Sequence, residues 1–350
     1  MDKIFIYQFT DPTCVWCWGN EPELRAIDYL YGDKVEIRFI TGGLIEDIST
    51  FYRINADKSQ IISKANQLLA EEWVATSAIH GMPVVASNMH LYTEQYPSSF
   101  PQNIAYHAAK SINPQKAKDF LRRIREATFT EGQRTSQIDV LIELATESDI
   151  DPVEFIDQFT YGNSQAEFIS DRMKCRRHGI TGFPSYLIKR ADTYIILGGY
   201  QRLSSLQSAI NRLSRGRCHP RRIGPSLANV TEFIKHYKSV YPKEIEVAFN
   251  IDNDRASLMI NQLRQNKKIH TSPVGNSLRI SILHPKQASH AGTGAEPTST
   301  IESNQNNENK KLKSATFKIK EKALTLPQPQ SKVLMRLYNK VGRKNNDVSR

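Results

Sequence analysis

Residues 3–10, KIFIYQFT, crowd aromatic and β-branched side chains into one short run, the pattern of a buried strand. Asp11-Pro12-Thr13 interrupts the run, and a helix is predicted to begin near Cys14 and continue through Glu21 to Tyr31. Residues 35–40, VEIRFI, read as a second strand, ended by Gly42-Gly43. Strand, helix and strand in this order predict a parallel pair joined by a right-handed crossover. From about 55 to 178 the chain reads as helical throughout. Apolar positions recur at helical spacing over 61–80, 103–111, 114–128, 136–147 and 152–161, with Pro114 and Pro152 where first-turn prolines belong. Residues 185–189 and 194–197 then predict a hairpin turned at Arg190-Ala191-Asp192, and a helix over 203–213 closes the unit. The chain is thus an α/β protein of order β-α-β, long helical insert, β-β-α.

Five arginines (Arg212, Arg215, Arg217, Arg221, Arg222) and Gly224-Pro225 mark a basic linker over 216–226. Beyond it, helices are predicted over 229–241, 242–249 and 254–266, and the alternation over 267–282 predicts a hairpin with 273–276 at its tip. Three helices and a hairpin outline a small winged-helix-like domain over 227–285. Its predicted core is Phe233, Ile234, Tyr237, Ile245, Val247, Ala248, Leu258, Leu263 and Ile269. From 286 to 350 the composition collapses to polar residues and predicts a disordered basic tail. Within that tail, 332–341, KVLMRLYNKV, reads either as solvated chain or as a short partner-binding helix.

Charge sharpens this division. The formal net charge is +11, yet residues 1–211 carry 21 basic and 26 acidic side chains, whereas 286–350 carry 13 and 5. Any argument for an anionic partner therefore belongs to the C-terminal third. Four cysteines exclude a disulfide-stapled scaffold. No apolar run approaches the roughly 18 residues of a membrane span, and no secretory h-region follows Met1, so a cytoplasmic protein without membrane contact is expected.

The chemistry concentrates at Cys14-Val15-Trp16-Cys17, a C-x-x-C between a strand and a helix. A sulfur at a helix start faces unpaired N–H groups, which favours the thiolate. Two intervening residues bring the second thiol within reach of the first. Cys14 is predicted to attack a substrate disulfide and Cys17 to resolve the mixed disulfide. Two other readings fit the pattern: half of a zinc site completed by Cys175 and His178, or a pair of core cysteines packed beside Trp16 and Trp18. No metal and no cofactor are expected on the first reading. Cys175, amid Lys174, Arg176, Arg177 and His178, reads as an ordinary free cysteine or as a third redox thiol, and Cys218 as exposed and incidental.

The string FTDPTCVWCWGNEPEL resembles the active-site segment of DsbA-like proteins of the thioredoxin superfamily, in particular the cytoplasmic FrnE-like dithiol–disulfide isomerases. Residues 179–185, GITGFPS, resemble the family's cis-proline loop. The resemblance covers about residues 1–215. It implies a thioredoxin-like fold with a large helical insertion and a protein dithiol–disulfide oxidoreductase. It also implies a cis Pro184 against the dithiol and a Phe183 backbone that pairs with an extended client, with Trp16 and Trp18 at the client surface. Protein thiols and disulfides would be the clients, and thioredoxin or glutathione the candidate reductant. A departure is Gln8, where better-known members carry an acid; Asp11 lies nearer the dithiol and reads chiefly as a cap or turn former. Another DsbA-like branch serves as a protease adaptor without catalysis, which is the alternative.

In the winged-helix-like segment, the third helix would expose Asn253, Arg255, Asn261, Arg264 and Lys268, a set suited to base edges or phosphates. Nucleic acid through 227–285 is therefore a further candidate partner, and a redox-responsive DNA-binding regulator a third reading.

Overall fold

A computed structural model describes residues 2–283 except 53, 55 and 56. The predicted tail and its 332–341 segment lie outside the described residues. Strand β1 (Ile4–Thr10) runs parallel to β2 (Val35–Thr41), with Ile6 opposite Ile37 and Thr10 opposite Thr41. On its other side β1 pairs antiparallel with β3 (Ser185–Arg190), and β3 with β4 (Thr193–Gly198), giving the order β2-β1-β3-β4.

The crossover from β1 to β2 is two helices, α1 (Val15–Gly19) and α2 (Glu21–Tyr31), where one continuous helix was expected. The break has a local cause. Pro22 has no N–H to give the Trp18 carbonyl one turn earlier, and its ring opposes that carbonyl. Proline is welcome in the first turn of a new helix instead, so Asn20 ends α1 and starts α2.

Between β2 and β3 the chain inserts α3 (Ile48–Phe51), α4 (Lys58–His80), α5 (Phe100–Ile112), α6 (Pro114–Thr130), α7 (Ile138–Glu147), α8 (Pro152–Thr160) and α9 (Ser164–Arg177). Helices α5 to α8 bury their own core around Phe120, Leu121, Ile124, Leu144 and Phe155. Asn113 and Asp151, each followed by proline, cap α6 and α8 by accepting two backbone N–H groups apiece. A second core lies under the sheet, where Ile4, Ile6, Tyr186 and Ile188 meet α2 and α10 (Leu203–Ser214).

The C-terminal residues form α11 (Leu227–Tyr237), β5 (Ser239–Val240), α12 (Pro242–Phe249), α13 (Asn253–Gln265), β6 (Ile269–Val274) and β7 (Ser277–Ile282). A three-stranded sheet of order β5-β7-β6 results, its hairpin turning at Gly275-Asn276. Two expectations are corrected. Leu258 is 58% exposed rather than core; the inward face of α13 carries Ala256, Met259, Ile260 and Leu263. Cys218 is buried among Leu206, Ile210 and Tyr31 rather than exposed, because 216–226 packs back along the sheet domain, with the Arg221 N–H on the Leu30 carbonyl at 2.7 Å.

Candidate active site

All four cysteines are free thiols. Cys14 is the N-cap of α1, and its extended backbone lets Sγ accept the Cys17 N–H at 3.3 Å. On its other side Cys14 Sγ donates to the Phe183 carbonyl at 3.5 Å. The Phe183–Pro184 peptide is cis. The Pro184 carbonyl accepts the Gly199 N–H at 2.8 Å, which ties the loop to the end of β4. The Phe183 ring lies where a side chain at 42 would stand, so Gly42 is what allows the loop to come this close. The two sequence motifs thus meet at one sulfur, Cys14 and Phe183 being 169 positions apart. Cys14 keeps 3% of its surface exposed and Cys17 none, so only the former can meet a client.

Below the sulfurs lies a buried polar floor. Cys14, Arg125, Thr10 and Asp11 make up the polar surroundings of the Cys17 sulfur. The Arg125 guanidinium, wholly buried, donates to Thr10 Oγ1 and to Glu21. Gln8 Nε2 donates to Tyr186 Oη at 3.1 Å, and Tyr186 donates to Asn20 Oδ1 at 2.8 Å. The Asp11 carboxylate is fully occupied as a loop staple, accepting from Thr13, Leu44, Ser99 and Asn103.

These surroundings divide the pair. Burial raises the Cys14 thiol, as does its hydrogen bond to Cys17. Burial acts on Cys17 in the same sense, but the neighbouring Cys14 side chain, the Arg125 charge and Thr10 outweigh it and hold Cys17 below the ordinary thiol value.

The tryptophans part company. Trp16 is half-buried, with His80 and Tyr200 centroids at 6.2 and 5.9 Å. Trp18, expected at the client surface, is instead a core residue. It is wholly buried, donates to the Pro83 carbonyl at 2.9 Å, stacks on Phe129 and lies under Arg122. Cys175 packs with Phe9, Ile40 and Leu187, and burial pushes its thiol up to about 11, so its basic neighbours do not activate it. Among the described residues no three His, Cys, Asp or Glu side chains are placed to hold a metal, and no helix is long and apolar enough to cross a membrane.

Sequence reasoning missed Arg125 and Thr10. The available signal was in α6, where Arg122 and Arg125 interrupt the stripe Leu121, Ile124, Thr128 that faces inward. The exposed set Asn253, Arg255, Asn261, Arg264 and Lys268 does lie on the surface of the C-terminal region. Arg264 is tied to Asn261 at 3.1 Å and Asn253 to Glu246 at 3.0 Å.

A free dithiol at a helix start, beside a cis-proline loop and below a helical insertion, defines a thioredoxin-like protein of DsbA-like architecture. A thioredoxin family model (Thioredoxin_5) matches residues 7–204, and the chain belongs to that family. It is similar to the ClpXP adapter protein SpxH of Halalkalibacterium halodurans, 25% identical over 273 residues, which covers 77% of this chain and 85% of that protein. A solved structure described as a candidate protein disulfide isomerase from Nitrosomonas europaea shares the fold with a TM-score of 0.52 at 18% identity, over 62% of this chain and 100% of that one. The cytosolic disulfide reductase DsbM from Pseudomonas aeruginosa matches with a TM-score of 0.43 at 18% identity, over 75% of this chain and 99% of its own.

Proposed function

We propose that the chain is a cytoplasmic protein thiol–disulfide oxidoreductase acting through Cys14 and Cys17. The observation that carries this reading is the position of Cys14 Sγ, hydrogen-bonded to the Cys17 N–H on one side and to the cis-proline loop on the other. An extended client laid along Phe183 and Pro184 takes over the Phe183 carbonyl and presents its disulfide to Cys14. The Cys14 proton passes to Cys17, and the Cys14 thiolate attacks one client sulfur. A Cys14–client disulfide forms, the client S–S bond breaks, and the second client sulfur leaves as a thiolate. Cys17, once deprotonated, attacks Cys14, forming the Cys14–Cys17 disulfide and releasing the first client sulfur. Thioredoxin or glutathione would restore the dithiol. Trp16, half-exposed beside Cys14, supplies apolar contact to the client.

Reduction of insulin by the full chain, with dithiothreitol as electron source, tests this. Cys14→Ser is expected to abolish turnover, and Cys17→Ser to accumulate a mixed disulfide visible on a non-reducing gel. Turnover that survives Cys14→Ser would sink the reading.

A second reading, a ClpXP adapter, is favoured by the similarity to SpxH over most of both chains. Co-purification with ClpXP by both the wild type and a Cys14→Ser/Cys17→Ser variant, without insulin reduction by either, would favour it over the enzyme.

A further inference from the structure

The two edges of the four-stranded sheet are finished differently. At one edge β2 carries Glu36 and Arg38, joined at 2.7 Å, with Lys3 on Glu36 at 2.9 Å. Charges on an edge strand discourage pairing with another chain. At the other edge β4 reads TYIILG, with no charge, no proline and an unbroken register on β3.

The hairpin decides which backbone groups of β4 face outward. The Gly199 N–H reaches the Pro184 carbonyl at 2.8 Å, and hydrogen-bonded pairs alternate from there: Tyr186 with Leu197, Ile188 with Ile195, Arg190 with Thr193. The N–H and C=O groups of Tyr194 and Ile196 therefore point away from β3, and among the described residues nothing pairs with them. Gly198 closes this row, its carbonyl accepting Gln201 Nε2 at 2.9 Å. Side chains alternate as well. Ile195 and Leu197 lie against the core under the sheet. Tyr194 and Ile196 stand on the opposite face, 55% and 40% exposed, where a strand with one solvated side ordinarily carries polar residues.

We propose that β4 pairs antiparallel with β4 of a second copy of this chain, continuing the sheet from one copy into the other. The occupant is a second copy because the edge complements itself. About a two-fold axis at Ile195, Tyr194 of each copy faces Ile196 of the other. Their outward N–H and C=O groups then meet in two reciprocal hydrogen-bonded pairs. The same register sets each exposed Tyr194 ring on the exposed Ile196 of the other copy, an aromatic–β-branched pair on either side of the axis. A peptide of arbitrary sequence would meet the backbone groups alone, whereas the second copy meets the side chains too. Neither Cys14 nor Cys17 takes part, so the pairing stands apart from the redox reading.

Sedimentation velocity of the full chain between about 1 and 200 µM tests this, because two short strands make a small interface and a micromolar association. The wild type is expected to show a concentration-dependent monomer–dimer equilibrium. Tyr194→Lys/Ile196→Lys sets like charges opposite one another and is expected to weaken the dimer at least about tenfold, with an unchanged circular dichroism spectrum. Where that variant does not fold, Ile195→Cys in a Cys14→Ser/Cys17→Ser background decides. Residue 195 faces its own copy across the axis with Cα atoms about 4.5 Å apart, so oxidation is expected to give a covalent dimer, whereas Thr193→Cys, opposite Leu197, is expected to give none. A wild type that stays monomeric throughout the range overturns the proposal and leaves the edge to an extended client or to the chain beyond residue 283. A dimer that persists undiminished in the folded double-lysine variant, or an Ile195→Cys protein that does not cross-link, overturns it as well.

Discussion

Two surfaces of the molecule carry charge in opposite ways. Where α6 meets α2 and α12, the charges are mostly withdrawn from solvent and paired with one another. Arg122 reaches Glu126 at 3.0 Å and Glu21 and Glu244 at 3.2 Å, while Arg25 holds Glu244 at 2.9 Å, and Glu244 has no exposed surface. On the outer face of α13, Arg255, Asn261 and Arg264 stand in water, as does Lys268 in the turn after the helix. The C-terminal region contributes to both. Its inner face supplies Glu244 together with Tyr241, which meets Trp18 edge-on at 5.6 Å. The Tyr237 hydroxyl likewise lies 2.8 Å from Asp28 Oδ2 and 2.9 Å from the Arg25 carbonyl, its one proton shared between the two acceptors. Residues 227–282 are thus built onto the helix pair that carries the dithiol. Buried networks tolerate loss of one member badly, whereas solvated charges are nearly independent. That contrast ranks the outcomes below.

The largest expected effect is from Arg122→Met. It strips Glu21, Glu126 and Glu244 of a shared cation, and breaking such a buried set costs about 3–5 kcal/mol. Chemical denaturation followed by tryptophan fluorescence reads it, since Trp18 lies directly under Arg122 with the guanidinium 4.4 Å from the ring centroid. A midpoint within error of the wild type would mean that the two surfaces do not differ as described.

Acid provides a second, intermediate effect through His80. Its ring packs over Gly19 and accepts the Met82 N–H at Nδ1 (3.0 Å), and burial pulls its pKa down to about 4 from an ordinary 6.5. The folded value is the lower one, so between these limits the unfolded chain binds more protons. Stability is complete above about pH 6.5 and falls as pH drops toward 4, by about 3 kcal/mol at most. Glu23, raised by burial, works in the opposite sense in the lower part of this window. The difference between wild type and His80→Gln isolates the histidine. Parallel stability curves for the two from pH 7 to pH 4.5 would refute its part.

The strands, the helical insert, the hairpin and both motifs of the site were legible because each is a local pattern: alternation, helical spacing, proline placement, or C-x-x-C after a strand. What was not legible depends on residues brought together by the fold. Arg125 is the plainest case: 115 positions along the chain from Thr10, it reaches that hydroxyl at the end of β1 only through the fold. Trp18 looked like Trp16 because both flank Cys17, yet on a helix they face differently, and one lies over the insert's Phe129 while the other meets Tyr200. Leu258 misled for a related reason. Its apolar side chain suggested core, but Ala256, Met259, Ile260 and Leu263 already complete the inward stripe of α13.

The smallest expected effects are on the solvated face. Arg255→Ala and Arg264→Ala should each leave stability within about 0.5 kcal/mol of wild type. Their value lies in deciding whether this face grips nucleic acid. Acids crowd the start of the helix that would enter a groove: Asp252 caps it by accepting the Arg255 N–H at 2.9 Å, Asp254 follows, and Glu246 holds Asn253. Phosphate approaching there meets carboxylates before it meets Arg255. Binding of a duplex by the full chain should accordingly stay in the non-specific range, with dissociation constants of about 10⁻⁴ to 10⁻⁶ M at physiological salt, and Arg255→Ala should change it little. Sequence-selective binding nearer 10⁻⁸ M, weakened by Arg255→Ala with a salt slope shallower by about one, would make this face a reader of DNA rather than a solvated surface.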